Sequence, residues 1–149
     1  MLSIIRPDLN KSCQWTTVLG ESIVKEIYLL RGSVNYRKPT NINSFSPDGE
    51  IDDMIIEVKT QTFHTTGTAG EKILGVPIKY ADVPNLYGKS LTIVCVACAE
   101  KLSREKYGIL SPSSPNKIKI LDFFKNEFNI SYIGATEILQ QCLNQMLNK

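Results

Sequence analysis

The stretch Ser46–Gln61, SPDGEIDDMIIEVKTQ, gathers five acidic residues within ten positions: Asp48, Glu50, Asp52, Asp53 and Glu57. Glu57 opens a Glu-x-Lys triplet, with Lys59, inside an apolar run. Carboxylates held close together repel unless a cation lies between them. Mg²⁺ fits such a pair, because it takes one or two carboxylates and keeps several waters. An ammonium group beside the pair can orient a water and stabilise charge on a phosphoryl oxygen. Together these groups suit hydrolysis of a phosphodiester. The plain alternative is a surface ion pair between Glu57 and Lys59, which the same spacing produces often.

Which carboxylates meet depends on the strands that carry them. GEIDDMIIEVKTQTF alternates as a β-hairpin does. Ile51, Met54, Ile56 and Val58 fall on one face, Ile55, Glu57 and Lys59 on the other. With Asp52-Asp53 at the turn, Ile51 pairs with Met54, Glu50 with Ile55, Gly49 with Ile56, and Asp48 with Glu57. Directly opposed Cβ atoms lie roughly 5 Å apart, so Asp48 and Glu57 become the expected metal ligands. Displaced strands would put Asp52 or Asp53 in place of Asp48. Otherwise both are turn formers, and Glu50 is either solvated or a spare ligand.

Around this hairpin the chain reads as α/β. TTVLGESIVKEIYLLRG carries Val24, Ile27, Tyr28 and Arg31 at helical spacing, with Thr16 or Thr17 as cap and Gly32 as stop. Thr68-Ala-Gly-Glu71 has the form of a capping box, predicting a helix from near Ala69 that Pro77 and Pro84 keep short. SLTIVCVACA is continuous and apolar, as a central strand covered on both faces would be. A short helix follows at AEKLSREKYG. PNKIKILDFFKNEFN reads as one helix or as strand then helix. GATEILQQCLNQMLNK places Ile138, Leu139, Cys142, Leu143 and Met146 on one helical stripe, expected to be core and, as second choice, a dimer seam.

The order of these motifs resembles the PD-(D/E)xK nuclease superfamily, restriction-endonuclease-like proteins including some of large DNA viruses. Pro47-Asp48, Glu57-Val-Lys59 and the helical Glu21 in GESIV carry the likeness, which spans Glu21 to about Ala99. The resemblance implies a restriction-endonuclease-like core, a central mixed β-sheet flanked by helices, and a metal-dependent DNA endonuclease. Asp48 and Glu57 would bind Mg²⁺, with Mn²⁺ able to substitute. Lys59 would position the water and Glu21 would assist. Restriction-type cleavage of double-stranded DNA by a homodimer is the first expectation. A structure-selective nuclease, such as a Holliday-junction resolvase or repair nuclease, is the second, and a non-catalytic DNA-binding protein on the same fold the third.

The segment after the triplet offers DNA contacts. Gln61 continues the parity of Glu57 and Lys59, or is a simple strand-end residue. The loop HTTGTAGEK brings hydroxyls, backbone N–H groups and a helix N-terminus, a combination that suits phosphate. Thr65, Thr66, Thr68 and Lys72 are the expected contacts, with His64, the single histidine, as a further one.

Composition sets outer bounds. A chain of 149 residues, 42% hydrophobic, suits one nuclease domain over residues 1–149. A net charge of +2 permits a nucleic-acid partner whose positive contacts are local. Lys72, Lys79, Lys101, Arg104, Lys106, Lys117 and Lys119 supply candidates. No apolar run approaches the ~20 residues of a membrane span, and MLSIIRPDLNK is too short and polar for a signal peptide. These features lead to an intracellular expectation. Cys95 and Cys98 have metal-like spacing, but both are expected inside the apolar strand on opposite faces. With only Cys13, Cys142 and His64 besides, no zinc is expected.

Overall fold

The computed structural model describes residues 17–60 and 66–149, with side chains in the second stretch from residue 70 onward. A helix α1 (Thr17–Leu30) precedes a hairpin of β1 (Gly49–Ile51) and β2 (Met54–Thr60). Helices α2 (Thr66–Leu74), α3 (Val76–Lys79) and α4 (Val83–Tyr87) lead to β3 (Ser90–Val96). Then come α5 (Cys98–Glu105), α6 (Pro115–Phe128), β4 (Ile130–Gly134) and α7 (Ala135–Leu147). The strands form one four-stranded mixed sheet in the order β1-β2-β3-β4. β1 pairs antiparallel with β2, while β2, β3 and β4 run parallel.

The hairpin register is the expected one: Ile51 faces Met54, Glu50 faces Ile55 and Gly49 faces Ile56. Asp52 and Asp53 make the turn. Neither has positive φ, so this is not the primed turn that Asn-Gly favours. Tertiary bonds hold it instead: Asn35 Nδ2 donates to Asp52 Oδ1, and Ser90 N–H donates to Asp53 O at 3.1 Å.

The alternation of β2 splits the core into two layers. Ile51, Ile56 and Val58 join Val24, Ile27 and Tyr28 of α1, Val94 and Val96 of β3, and Ala135 and Ile138 of α7. On the other face Ile55 joins Val76, Val83, Leu91, Ile93 and Ile130, with Phe124 of α6 against them. β3 is buried on both faces from Leu91 to Val96, as its unbroken apolar run predicts. Glycine at position 20 lets α1 come close to the sheet, since a Cβ there would overlap Thr60 Cγ2.

Several expectations need correction. Cys98 is not in the strand. β3 ends at Val96, Ala97 turns the chain at φ 53°, and Cys98 opens α5, exposed. The second helix begins at Thr66, three residues ahead of Ala69, so Thr68 lies inside it. Pro77 and Pro84 each sit in the first turn of a short helix of its own, where a missing N–H costs nothing. The segment left open between strand and helix is one helix, α6. β4 is a strand that the sequence pattern does not announce. In α7 the buried positions are Ala135, Ile138 and Cys142, at i, i+3 and i+7. Leu139, Leu143 and Met146 are exposed, so three of the five residues of that stripe are not core.

Candidate active site

β1 stops at Gly49, and Asp48 lies just before it. Asp48 N–H donates to Ile56 O at 3.1 Å, which extends the pairing by half a step. Its side chain turns back into the ladder: Val58 N–H donates to Asp48 Oδ2 at 2.7 Å. The carboxylate is thereby held beside β2, near enough for Glu57 to feel its charge.

Glu57 is buried although it is charged, its side chain only 5% exposed. Lys59 Nζ donates to Glu57 Oε1 at 2.7 Å. The other oxygen, Oε2, is buried and has no well-aligned hydrogen bond among the described residues, although the Tyr80 phenol lies close enough to act as a donor to the carboxylate. Burial pushes the Glu57 carboxyl up; the Lys59 charge opposes this and the Asp48 charge adds to it. The Tyr80 phenol faces the same carboxylate, and burial followed by the Glu57 charge pushes it up to about 12.

Glu21 arrives from the first turns of α1. Burial, then the Asp48 charge and a hydrogen bond with Asp48, raise its carboxyl to about 7. The protonated Glu21 carboxyl donates to Asp48, so one proton relieves part of the repulsion. The four residues singled out in the sequence, Glu21, Asp48, Glu57 and Lys59, therefore stand together.

Glu50 is not a spare ligand: it pairs with Arg37 at 3.2 Å and with Lys89. Asp52 and Asp53 lie at the far end of the hairpin. Gln61, His64 and Thr65 lie outside the described residues, and Thr66 and Thr68 are described only as positions in α2.

Lys72 lines a cavity of about 380 Å³ that opens beside Lys59, with Thr17, Thr60, Glu71, Gly75, Lys79 and Tyr80 among its walls. Its polar charge comes from three lysines and one glutamate. Lys79 Nζ stands over the Tyr80 ring, 5.5 Å from the centroid, and Phe45 packs against that ring at 5.5 Å. Sequence reading found Lys72 and Lys79 as candidate contacts but not the partnership of Tyr80 with Glu57. Tyr80 lies at the end of α3, more than twenty residues along the chain, and no local pattern announces that this segment folds back over β2.

The residues fit a divalent cation. Among the described residues no three acidic, histidine or cysteine side chains enclose a metal on their own. Asp48 and Glu57 instead provide a two-carboxylate edge, the number Mg²⁺ accepts while retaining water. The buried Oε2 of Glu57, which has no well-aligned donor, is an atom that such an ion would satisfy. No family model, curated protein or solved structure matches this chain.

Proposed function

We propose that the chain is a metal-dependent nuclease that hydrolyses DNA phosphodiester bonds, on a restriction-endonuclease-like core. The observation that carries this reading is the nearness of the Asp48 and Glu57 carboxylates, with Glu57 buried against Lys59 and Tyr80. The order of elements supports it: a helix bearing Glu21, a hairpin bearing Asp48 and Glu57-x-Lys59, helices, then an apolar strand. The site also lies toward the carboxyl end of β2, where open α/β sheets bind their ligands.

Asp48 and Glu57 would hold Mg²⁺ or Mn²⁺, which when bound supplies positive charge against the phosphoryl oxygens and lowers the pKa of water. Lys59 is anchored to Glu57 Oε1, so its remaining N–H bonds are aimed rather than free to wander. Facing a phosphodiester, it orients the attacking water and balances charge that grows on a non-bridging oxygen. Glu21 holds a proton against Asp48 and releases it when that carboxylate is otherwise neutralised. Lys72 and Lys79 give the strand a grip on its phosphates, which fixes register without reading bases.

The test is cleavage of a plasmid and of a synthetic four-way junction, each with Mg²⁺, Mn²⁺ or Ca²⁺. Discrete plasmid products indicate restriction-type cutting, and products from the junction alone indicate structure selectivity. Glu57→Ala and Lys59→Ala are expected to abolish cleavage while binding in Ca²⁺ survives. Wild-type protein that cuts neither DNA with any of the metals, or an active Glu57→Ala, overturns the reading.

A further inference from the structure

Tyr36 lies on a segment that runs along the outer edge of β1. Arg37 N–H donates to Glu50 O at 3.0 Å and Glu50 N–H donates to Arg37 O at 2.8 Å, which pins the segment antiparallel to the strand. The Tyr36 side chain turns to the face that α1 covers. Its ring stacks on Tyr28 of α1, 6.0 Å between centroids and 29° between planes. It packs against the core layer that holds Val24, Ile56 and Val58. A Cβ at Gly49 would overlap Tyr36 Oη and Cζ, so the phenol rests on the backbone right beside Asp48.

That phenol oxygen is buried and has no hydrogen-bond partner among the described residues. A phenol can both give and take a hydrogen bond, and burying one with neither costs stability. Burial, then the Asp48 charge, then Tyr28 and Glu21, push the Tyr36 phenol up, so it keeps its proton. Asp48 and Glu21 share a hydrogen bond with each other. Three oxygen-bearing side chains thus gather in one place, and Tyr36 alone has no direct bond to the others. Polar groups that face one another beyond direct reach are joined by water, and a buried water is held by about three such partners.

We propose that Tyr36 is a positioning residue of the acidic site: with Asp48 and Glu21 it holds a water, one of those that a divalent ion on Asp48 and Glu57 would retain. The inference rests on the metal-dependent reading above and adds to it a residue that the motif does not contain. Hydrogen bonds just outside the ligands orient them, and losing one weakens metal affinity about 10–100-fold. Phenylalanine at position 36 would keep the ring and its stack on Tyr28 but would have nothing to offer the water.

Mn²⁺ binding to the full chain, followed by the paramagnetic resonance of the free ion and by calorimetry, provides the test without any cleavage. The wild type is expected to take up Mn²⁺, and Tyr36→Phe to bind it about 10-fold more weakly or worse. In EDTA Tyr36→Phe should melt close to the wild type, because the ring and its stack remain. Tyr28→Phe, from the same stack, should bind Mn²⁺ as the wild type does. A Tyr36→Phe protein with wild-type Mn²⁺ affinity overturns the role of Tyr36 and leaves the nuclease reading standing. Equal weakening in Tyr28→Phe assigns the effect to the stack and overturns that role as well. A wild type that takes up no Mn²⁺ overturns both readings.

Discussion

Val58 N–H donates to Asp48 Oδ2 at 2.7 Å, so a side chain takes over the strand pairing where β1 ends. This one bond fixes the Asp48 carboxylate beside β2, where Glu21 and Glu57 both feel its charge. It separates two roles that substitution can pull apart. Asp48→Asn keeps an acceptor for Val58 and removes a negative charge that Glu21 and Glu57 both feel. Without metal it should be at least as stable as the wild type. Asp48→Ala strands the Val58 N–H and should lie about 1–2 kcal/mol below Asp48→Asn in urea unfolding. Both should lose cleavage. Equal stability of the two variants would show that the bond to Val58 does not hold the site.

Metal-free stability should depend on pH in a stated direction. The Glu21 carboxyl sits at about 7 in the folded protein, against 4.5 as its ordinary value. Glu57 is also raised, by burial. The folded chain therefore keeps protons that the unfolded chain has released. Stability should fall as pH rises from 4.5 through about 7, then level off. Glu21 is only half-buried, so solvent screens the effect and keeps it modest. Melting curves in EDTA from pH 5 to pH 8 should show the decline, and Glu21→Gln should flatten it. Mg²⁺ should reverse the decline most at the alkaline end, where the carboxylates no longer hold protons against it. A profile that rises over this range contradicts the carboxylate cluster.

Glu100 anchors the last helix. It is buried, and its Oε1 accepts from Thr136 Oγ1 at 2.6 Å and from Thr136 N–H at 3.1 Å. Arg104 lies 3.6 Å from the same oxygen and 2.7 Å from Glu137. The carboxylate thus sits at the N-terminus of α7, where the helix dipole favours an anion. Glycine precedes that helix because a Cβ at Gly134 would overlap Glu100 Oε1. Glu100→Ala should cost about 2–3 kcal/mol in chemical denaturation, and Gly134→Ala should also destabilise. Cleavage per folded molecule should be unchanged. A loss of activity with intact folding would mean that Glu100 acts on the site rather than on α7.

The hairpin was legible because three local signals agreed: strict alternation, two turn-forming aspartates, and a register that put apolar residues on one face. β3 was legible because its run is long and uninterrupted. β4 was not, since ISYIG is short, mixes polar with apolar residues, and becomes a strand only by lying beside β3. Within the site, Asp48, Glu57 and Lys59 could be placed by strand parity, and Glu21 through family resemblance. Tyr80 could not, because what brings it to Glu57 is the fold of the α2–α4 segment, closed by contacts such as Tyr132 Oη donating to Ile73 O at 2.7 Å. Cys98 was misplaced because nothing in VCVACA marks the turn that Ala97 makes at φ 53°.

Lys79 and Tyr80 share a wall of the cavity beside Lys59 but should fail differently. Lys79 Nζ lies over the Tyr80 ring, 5.5 Å from its centroid. Under the proposed function its role is phosphate grip. Lys79→Gln should weaken DNA binding in Ca²⁺ to a similar degree for all sequences. It should also lower the slope of log affinity against log salt by about 0.9, the contribution of one neutralised phosphate. Cleavage should then show a raised KM with kcat nearly intact. Tyr80 faces the Glu57 carboxylate, so Tyr80→Phe should lower kcat and leave the salt slope alone. If Lys79→Gln keeps the wild-type slope, the cavity does not hold a phosphate. If Tyr80→Phe changes the slope instead, the two residues have been assigned the wrong way round.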